Sequence, residues 1–477
     1  MSFNLREEST LVRPTHRRTL VTVALALAAA LAPPASGVAS GWPPCVERTA
    51  PVRLGLTELS RSAKGRLLTL TLRSRAMQGE QKVNVLLPRG FDRSGRTRYP
   101  VLYLLHGAGG DYTSWIEEDE AAQALAGMGV IAVMPDGSGP DKSGTRRNGG
   151  YSDWFGVEPG TPDRAFAWES YHVRELVPFI DRRFPTRAGP GGRAIAGISM
   201  GGTGAMKYAA EFPGTFGYAG SFSGGIDSNV ARGLRGQNCQ QGDPALEEVV
   251  WRDNNPTDLA PNLRGVRLFV RSGDGRPGPF DAPTKPADSG QAVLWQARLA
   301  TEAGAHVMAE DFLAALHKAG IRGIDARFYP GSHSHPYWTR EFRAFVAWLR
   351  TQLRRPARPP RSFTVASAHE RFTAWGWSLR VHRRVREFAY LRAHAGRLTA
   401  TGSGELDVTT PARYRPRASY LVRIGRRTGT LRADRRGRIA FRVGLGASHD
   451  EQQTDFGSAA TRGWHSVSAR VLTRRRG

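Results

Sequence analysis

The run Gly197-Ile198-Ser199-Met200-Gly201 sets a serine among small residues, with the apolar stretch RAIAG ahead of it and the helix-like MKYAAEF behind. A serine hydroxyl is a weak nucleophile. It becomes effective when a sharp strand-to-helix turn exposes it and a neighbouring base removes its proton. The chain holds 55 glycines, so the five-residue spacing alone is weak evidence, and the strand before and helix after carry the reading. The matching chemistry is acyl transfer through a covalent serine intermediate, which needs backbone donors aimed at the developing oxyanion. One donor is the Met200 amide, next after the nucleophile. The second is expected from His106-Gly107-Ala108-Gly109-Gly110, where the apolar run VLYLL enters a glycine-rich turn. Ala108 is the chosen donor, Gly107 and Gly109 are its near alternatives, and an ordinary turn is the plain reading.

The base must follow the serine in the chain, and its acid should fall between them. Near the end of this region the histidines are His306, His317, His333 and His335. His333 is chosen because GSHSHPYW lies just past the strand-like DARFYP and before a helix, with His335 its close competitor. The acid is sought after VRLFVRS, in SGDGRPGPFDAP, where Asp274 and Asp281 both qualify. Asp281 is preferred because the glycine and proline run needs several residues to return a carboxylate beneath the histidine. Tyr151, Trp154, Phe155, Tyr337 and Trp338 are candidates for pocket walls, or for packing beside a sheet. This chemistry needs no cofactor. The two cysteines, Cys45 and Cys239, lack zinc-site spacing, so no metal is expected; in an oxidising compartment they could form one disulfide.

Strand-like and helix-like segments alternate from residue 66, the pattern of a mainly parallel sheet with helices on both faces. RLLTLTLRS and QKVNVLLP read as a hairpin, followed by YPVLYLLHG, VIAVMPDG, GRAIAGIS, GYAGSFSG, VRLFVRSG and DARFYPG as strands. Phe342, Phe345, Val346, Leu349 and Leu353 recur at helical spacing and close an α/β domain spanning 40–353. RRPARPPR, residues 354–361, reads as a stiff linker. From 354 to 477 there are 27 arginines, no lysine and 8 acidic residues, so this part holds 19 of the net +26 charge. Its alternating RIAFRVGLG, after a turn-like ADRRG, predicts a small basic β-rich domain over 362–477. At the other end, residues 1–39 read as a signal peptide. Arg13, His16, Arg17 and Arg18 precede the apolar TLVTVALALAAALA, which is shorter than the roughly 20 residues of a membrane span, and cleavage is expected after Ala39.

Taken as an ordered set, YLLHG, YSDWF at 151–155, WES at 168–170, GISMGG, WRDNNPT at 251–257, SGDG at 272 and SHSHPYW resemble the esterase D-like α/β-hydrolases. They resemble above all the secreted mycobacterial mycolyltransferases called the antigen 85 proteins. The resemblance runs from about residue 50 to about residue 350. It implies an α/β-hydrolase fold, Ser199 as nucleophile, His333 as base, and the Ala108 and Met200 amides as oxyanion hole. This sequence also departs from that family, which has an aspartate at the position of His106, an arginine at Gly109 and a tryptophan at His335. The family's catalytic glutamate has no identical counterpart here, so the acid stays open between Asp281 and Asp274.

The expected function is a secreted or envelope-associated serine esterase acting on a small-molecule or lipid ester. An acyltransferase delivering to a sugar or envelope acceptor is the alternative, and a non-catalytic envelope-binding protein on the same scaffold is the rival from another class. The basic C-terminal part is expected to meet an anionic envelope polymer or lipid. Nucleic acid is a poor partner for an exported chain, and no transmembrane anchor is expected once the signal is removed.

Overall fold

The computed structural model describes residues 45–474 except 141–145, 158–165, 230–238, 245, 282–288, 395 and 452–462; the signal-peptide reading and its cleavage point lie outside the described residues. At its centre is a nine-stranded sheet. From one edge the order is Asp325–Tyr329, Arg267–Gly273, Tyr218–Phe222, Arg193–Ile198, Val101–Leu105 and Ile131–Pro135, all parallel neighbours, then Gly79–Leu86, Leu67–Ser74 and Leu56–Lys64, all antiparallel. The middle strands Tyr218–Phe222, Arg193–Ile198, Val101–Leu105 and Ile131–Pro135 are buried along their whole length, because helices cover both faces. Leu67–Ser74 instead alternates, with Leu68, Leu70 and Leu72 facing the core. This is an α/β-hydrolase fold.

Leu56–Lys64 was not expected. Its sequence LTELSRSAK has no period-two apolar pattern, since it is an edge strand with seven of nine residues exposed and polar groups that discourage further pairing. In the closing helix His335–Leu353, Phe342, Phe345, Val346 and Leu349 are buried while Arg343 and Arg350 are exposed, as the spacing predicts. No helix among the described residues is long and apolar enough to cross a membrane.

Beyond that helix the chain does not run free through solvent. Ala357 is buried, and its amide donates to the Tyr218 hydroxyl at 3.0 Å, so the proline-rich segment lies against the end of the sheet. Ten strands follow, from Ser362–Ser367 to His465–Arg474, in one six-stranded and one four-stranded sheet, all antiparallel. Ile439, Val443 and Leu445 of the predicted strand are fully buried, and the Gly437 amide closes the ADRRG turn on the Asp434 carbonyl at 3.1 Å. The seam with the α/β part is hydrogen-bonded by backbone: Trp375 N donates to Pro213 O at 2.8 Å, Ala366 N to Asn262 Oδ1 at 2.8 Å and Ala368 N to Asp253 Oδ1 at 3.0 Å. Cys45 and Cys239 form a disulfide with Cα atoms 5.5 Å apart, which draws Val46–Glu47 alongside Gly156–Val157.

Candidate active site

Ser199 sits between the strand Arg193–Ile198 and the helix Met200–Glu211 with φ 50° and ψ −119°, a conformation that costs a non-glycine residue energy and that survives because its surroundings leave no alternative. The flanking glycines are the reason the turn can close. A Cβ on Gly197 would lie 2.2 Å from Gly201 O, and one on Gly201 would lie 2.1 Å from Leu105 O. Met200 is the first residue of its helix, so its amide has no partner inside the helix.

The His333 ring places Nε2 2.8 Å from Ser199 Oγ and Nδ1 2.6 Å from Glu302 Oε2. A carboxylate accepts only, so Nδ1 carries the proton and Nε2 presents a lone pair to the serine hydroxyl. Glu302 is fully buried, and its other oxygen, Oε1, accepts from Ser223 Oγ at 2.7 Å, Ser272 Oγ at 3.0 Å and the Gly273 amide at 2.5 Å. These three donors stand at the carboxyl ends of two parallel strands. Trp338 completes the setting, with its ring edge-on to His333 at 4.9 Å and its Nε1 donating to Ser223 Oγ at 3.0 Å.

The expectation of Asp281 as the histidine's acid is corrected. Asp281 Oδ2 accepts from Tyr337 OH at 2.7 Å and from the Gly278 amide at 2.8 Å, and Oδ1 accepts from Ser332 Oγ, so it staples its own loop to the residue before His333 without touching the imidazole. Asp274 is a turn residue bonded to Arg276. The acid arrives instead from the helix Ser289–Lys318, which crosses over the strand ends. A signal for it exists in the sequence: Glu302 falls on the buried stripe Leu299, Ala305, Ala309, Phe312 and Leu316, where a lone carboxylate is out of place unless something pairs with it. His335, the competitor base, turns away and pairs with Asp119 at 3.0 Å and Glu118 at 3.2 Å.

Ala108, Met200, Ser199 and His333 line one cleft of about 400 Å³. Amide and hydroxyl side chains are frequent in its lining, Asn148, Gln240, Gln241, Asn254 and Thr301 among them, while most of the surface it exposes is apolar. Asn148 Oδ1 also accepts the Gly109 amide at 2.9 Å, fixing the glycine turn that carries Ala108. His106 is buried beneath that turn: Gly137 N donates to its Nε2 at 2.8 Å, and its Nδ1 donates to Gly107 O at 2.7 Å. Tyr151, Tyr337 and Trp338 are buried packing groups, and none of the five aromatics singled out from the sequence lines the cleft. A second recess of about 430 Å³, between Arg174, Phe212 and Phe372 at the seam with the β-rich part, holds none of these groups.

Buried charge supports the helix behind the elbow. Lys207 Nζ lies 2.9 Å from Glu169 and 2.8 Å from Glu211; burial alone would lower its pKa, but the two carboxylates outweigh it and raise it. Nearby, burial pushes the His172 imidazole down to about 3. It stays neutral, with Nε2 donating to Asp136 O at 2.8 Å and Nδ1 accepting from Tyr208 OH at 2.9 Å. The unfolded chain protonates this histidine near its ordinary value and the folded chain does not, so stability should fall as pH drops from about 6.5 towards 3, by up to about 1.4 kcal/mol per pH unit from this group. Melting curves across that range should show the slope in the native chain and a shallower one in His172→Gln.

An α/β-hydrolase with its elbow serine held by a histidine–glutamate pair is the class that fold and site define. The chain belongs to the Esterase family, whose model matches residues 74–349 and so ends ahead of the β-rich part. It is 35% identical over 209 residues to the esterase Rv1288 of Mycobacterium tuberculosis, an alignment taking in 40% of this chain and 42% of that protein; the chain thus spans less than half the length of that curated relative. It is 27% identical over 275 residues to the diacylglycerol acyltransferase/mycolyltransferase Ag85A of Mycobacterium gordonae, covering 55% of this chain and 75% of that one. Among solved structures it is similar to a ferulic acid esterase, with a TM-score of 0.45 and 22% identity over 60% of this chain and 98% of that one.

Proposed function

We propose that the chain is an exported serine esterase that works through Ser199, His333 and Glu302. The reading rests on one observation above all: a strained, half-buried turn serine whose hydroxyl lies 2.8 Å from an imidazole that is itself held at 2.6 Å by a buried carboxylate. His333 Nε2 takes the Ser199 proton as Oγ bonds to the ester carbonyl carbon, and the carbonyl oxygen becomes an oxyanion stabilised by the Met200 and Ala108 amides. Collapse breaks the bond to the leaving alkoxide, which receives the proton from His333. Water then gives a proton to His333, attacks the acyl-enzyme and releases the acid, and Ser199 regains its hydrogen. Glu302 keeps Nδ1 protonated throughout and stabilises the imidazolium formed in each half.

The alternative acceptor is an alcohol, and the amide-rich and hydroxyl-rich cleft walls favour a polyhydroxylated one, such as a sugar. Export is supported by the basic-then-apolar leader and by the disulfide, which persists in oxidising compartments. A chromogenic acyl ester assayed with and without added sugar tests the reading. Free acid as the main product supports hydrolysis, acyl-sugar supports transfer, and no turnover of any ester overturns both.

A further inference from the structure

The arginines of the β-rich part are arranged in two different ways. On the four-stranded sheet they are paired: Arg442 lies 2.7 Å from Asp407 and 3.1 Å from Glu405, and Arg380 lies 2.9 Å from Glu370. On the six-stranded sheet they are set against one another. Strand register places His394 opposite Arg397, Arg397 opposite Arg470, and Arg470 opposite Arg423, a single row crossing four neighbouring strands. Each of these side chains is exposed while the residue beside it in the strand, Ala393, Leu398, Ala469 or Val422, is buried, so all four project from the same outer face. Arg392, also exposed, stands two residues before His394 on that face. Among the described residues none of these arginines has an ion-pair partner.

Like charges directly opposite one another destabilise a sheet, so an unneutralised row is a feature a fold does not need for its own sake. Beside it run paired hydroxyls, Thr399 with Ser468 at 2.9 Å and Thr401 with Ser466 at 2.7 Å, which extend the polar platform. We propose that this outer face is a docking surface for an anionic polymer, with successive phosphate or carboxylate groups lying along Arg397, Arg470 and Arg423. Guanidinium forks suit both anions, and neighbouring strands at roughly 4.8 Å spacing present them as a line. A membrane fits less well, because none of the large exposed apolar side chains among the described residues belongs to this part of the chain. The inference is independent of the ester chemistry.

The test measures binding of the full chain to fluorescent polyphosphate and to fluorescent polygalacturonate over a range of salt concentrations. The variants are R397S/R423S/R470S and a charge-matched control, R89S/R93S/R98S, taken from exposed arginines of the α/β part. The row variant should weaken binding to at least one polymer by about tenfold or more and reduce the salt slope by about three, one for each lost contact, while the control changes affinity by less than about twofold. Which polymer responds identifies the anion. Equal loss in both variants would reduce the effect to net charge and overturn the proposal, as would binding to phosphatidylglycerol vesicles with no binding to either polymer. Unchanged melting transitions show that both variants fold.

Discussion

Glu302→Gln is expected to lower kcat by about 10³–10⁴ while leaving the fold intact, and the reason lies in which oxygen is occupied. Three donors, from Ser223, Ser272 and Gly273, converge on Oε1. In the glutamine variant those donors hold the amide oxygen, which leaves the NH₂ group facing His333 Nδ1. That nitrogen must then accept, so the ring proton moves to Nε2 and points at Ser199, and the base can no longer take the serine proton. Asp281→Asn should leave kcat within a few-fold, because Asp281 holds Ser332 and Tyr337 and does not touch the ring. Steady-state kinetics on one chromogenic ester separates the two carboxylates. Loss of kcat in the Asp281 variant with retention in the Glu302 variant would contradict the geometry.

The larger effect is expected from Ser199→Ala and His333→Ala, each lowering kcat by about 10⁶, with the double variant no worse than either single one. Non-additivity follows from the contact itself. Without its acceptor the hydroxyl stays protonated and weak, and without the hydroxyl the imidazole has no proton to take, so either deletion removes the whole pathway. What survives should be the modest contribution of binding and the oxyanion donors. Multiplicative losses in the double variant would mean that the two residues act in separate steps.

The succession of strands along the chain and the place of the serine were legible because long apolar runs and a glycine-flanked turn are local signals. Val101–Leu105, Arg193–Ile198 and the stripe on His335–Leu353 needed nothing beyond their own sequence. Leu56–Lys64 was not legible, since an exposed edge strand is specified by its neighbour and carries no pattern of its own. Glu302 was missed for a related reason. Chain order points to the loop after Arg267–Gly273, where Asp274 and Asp281 offer carboxylates, whereas the group that reaches His333 is set by how a thirty-residue helix crosses the strand ends. The arginine row is likewise a product of register: composition counted the arginines, and only strand pairing aligned three of them.

The most direct measurement is covalent labelling with a fluorophosphonate, read by peptide mass spectrometry. Ser199 as the nucleophile predicts a single phosphonyl adduct on its own peptide in the native chain and none in Ser199→Ala. An unlabelled native chain, or an adduct on another serine that persists in Ser199→Ala, would contradict it.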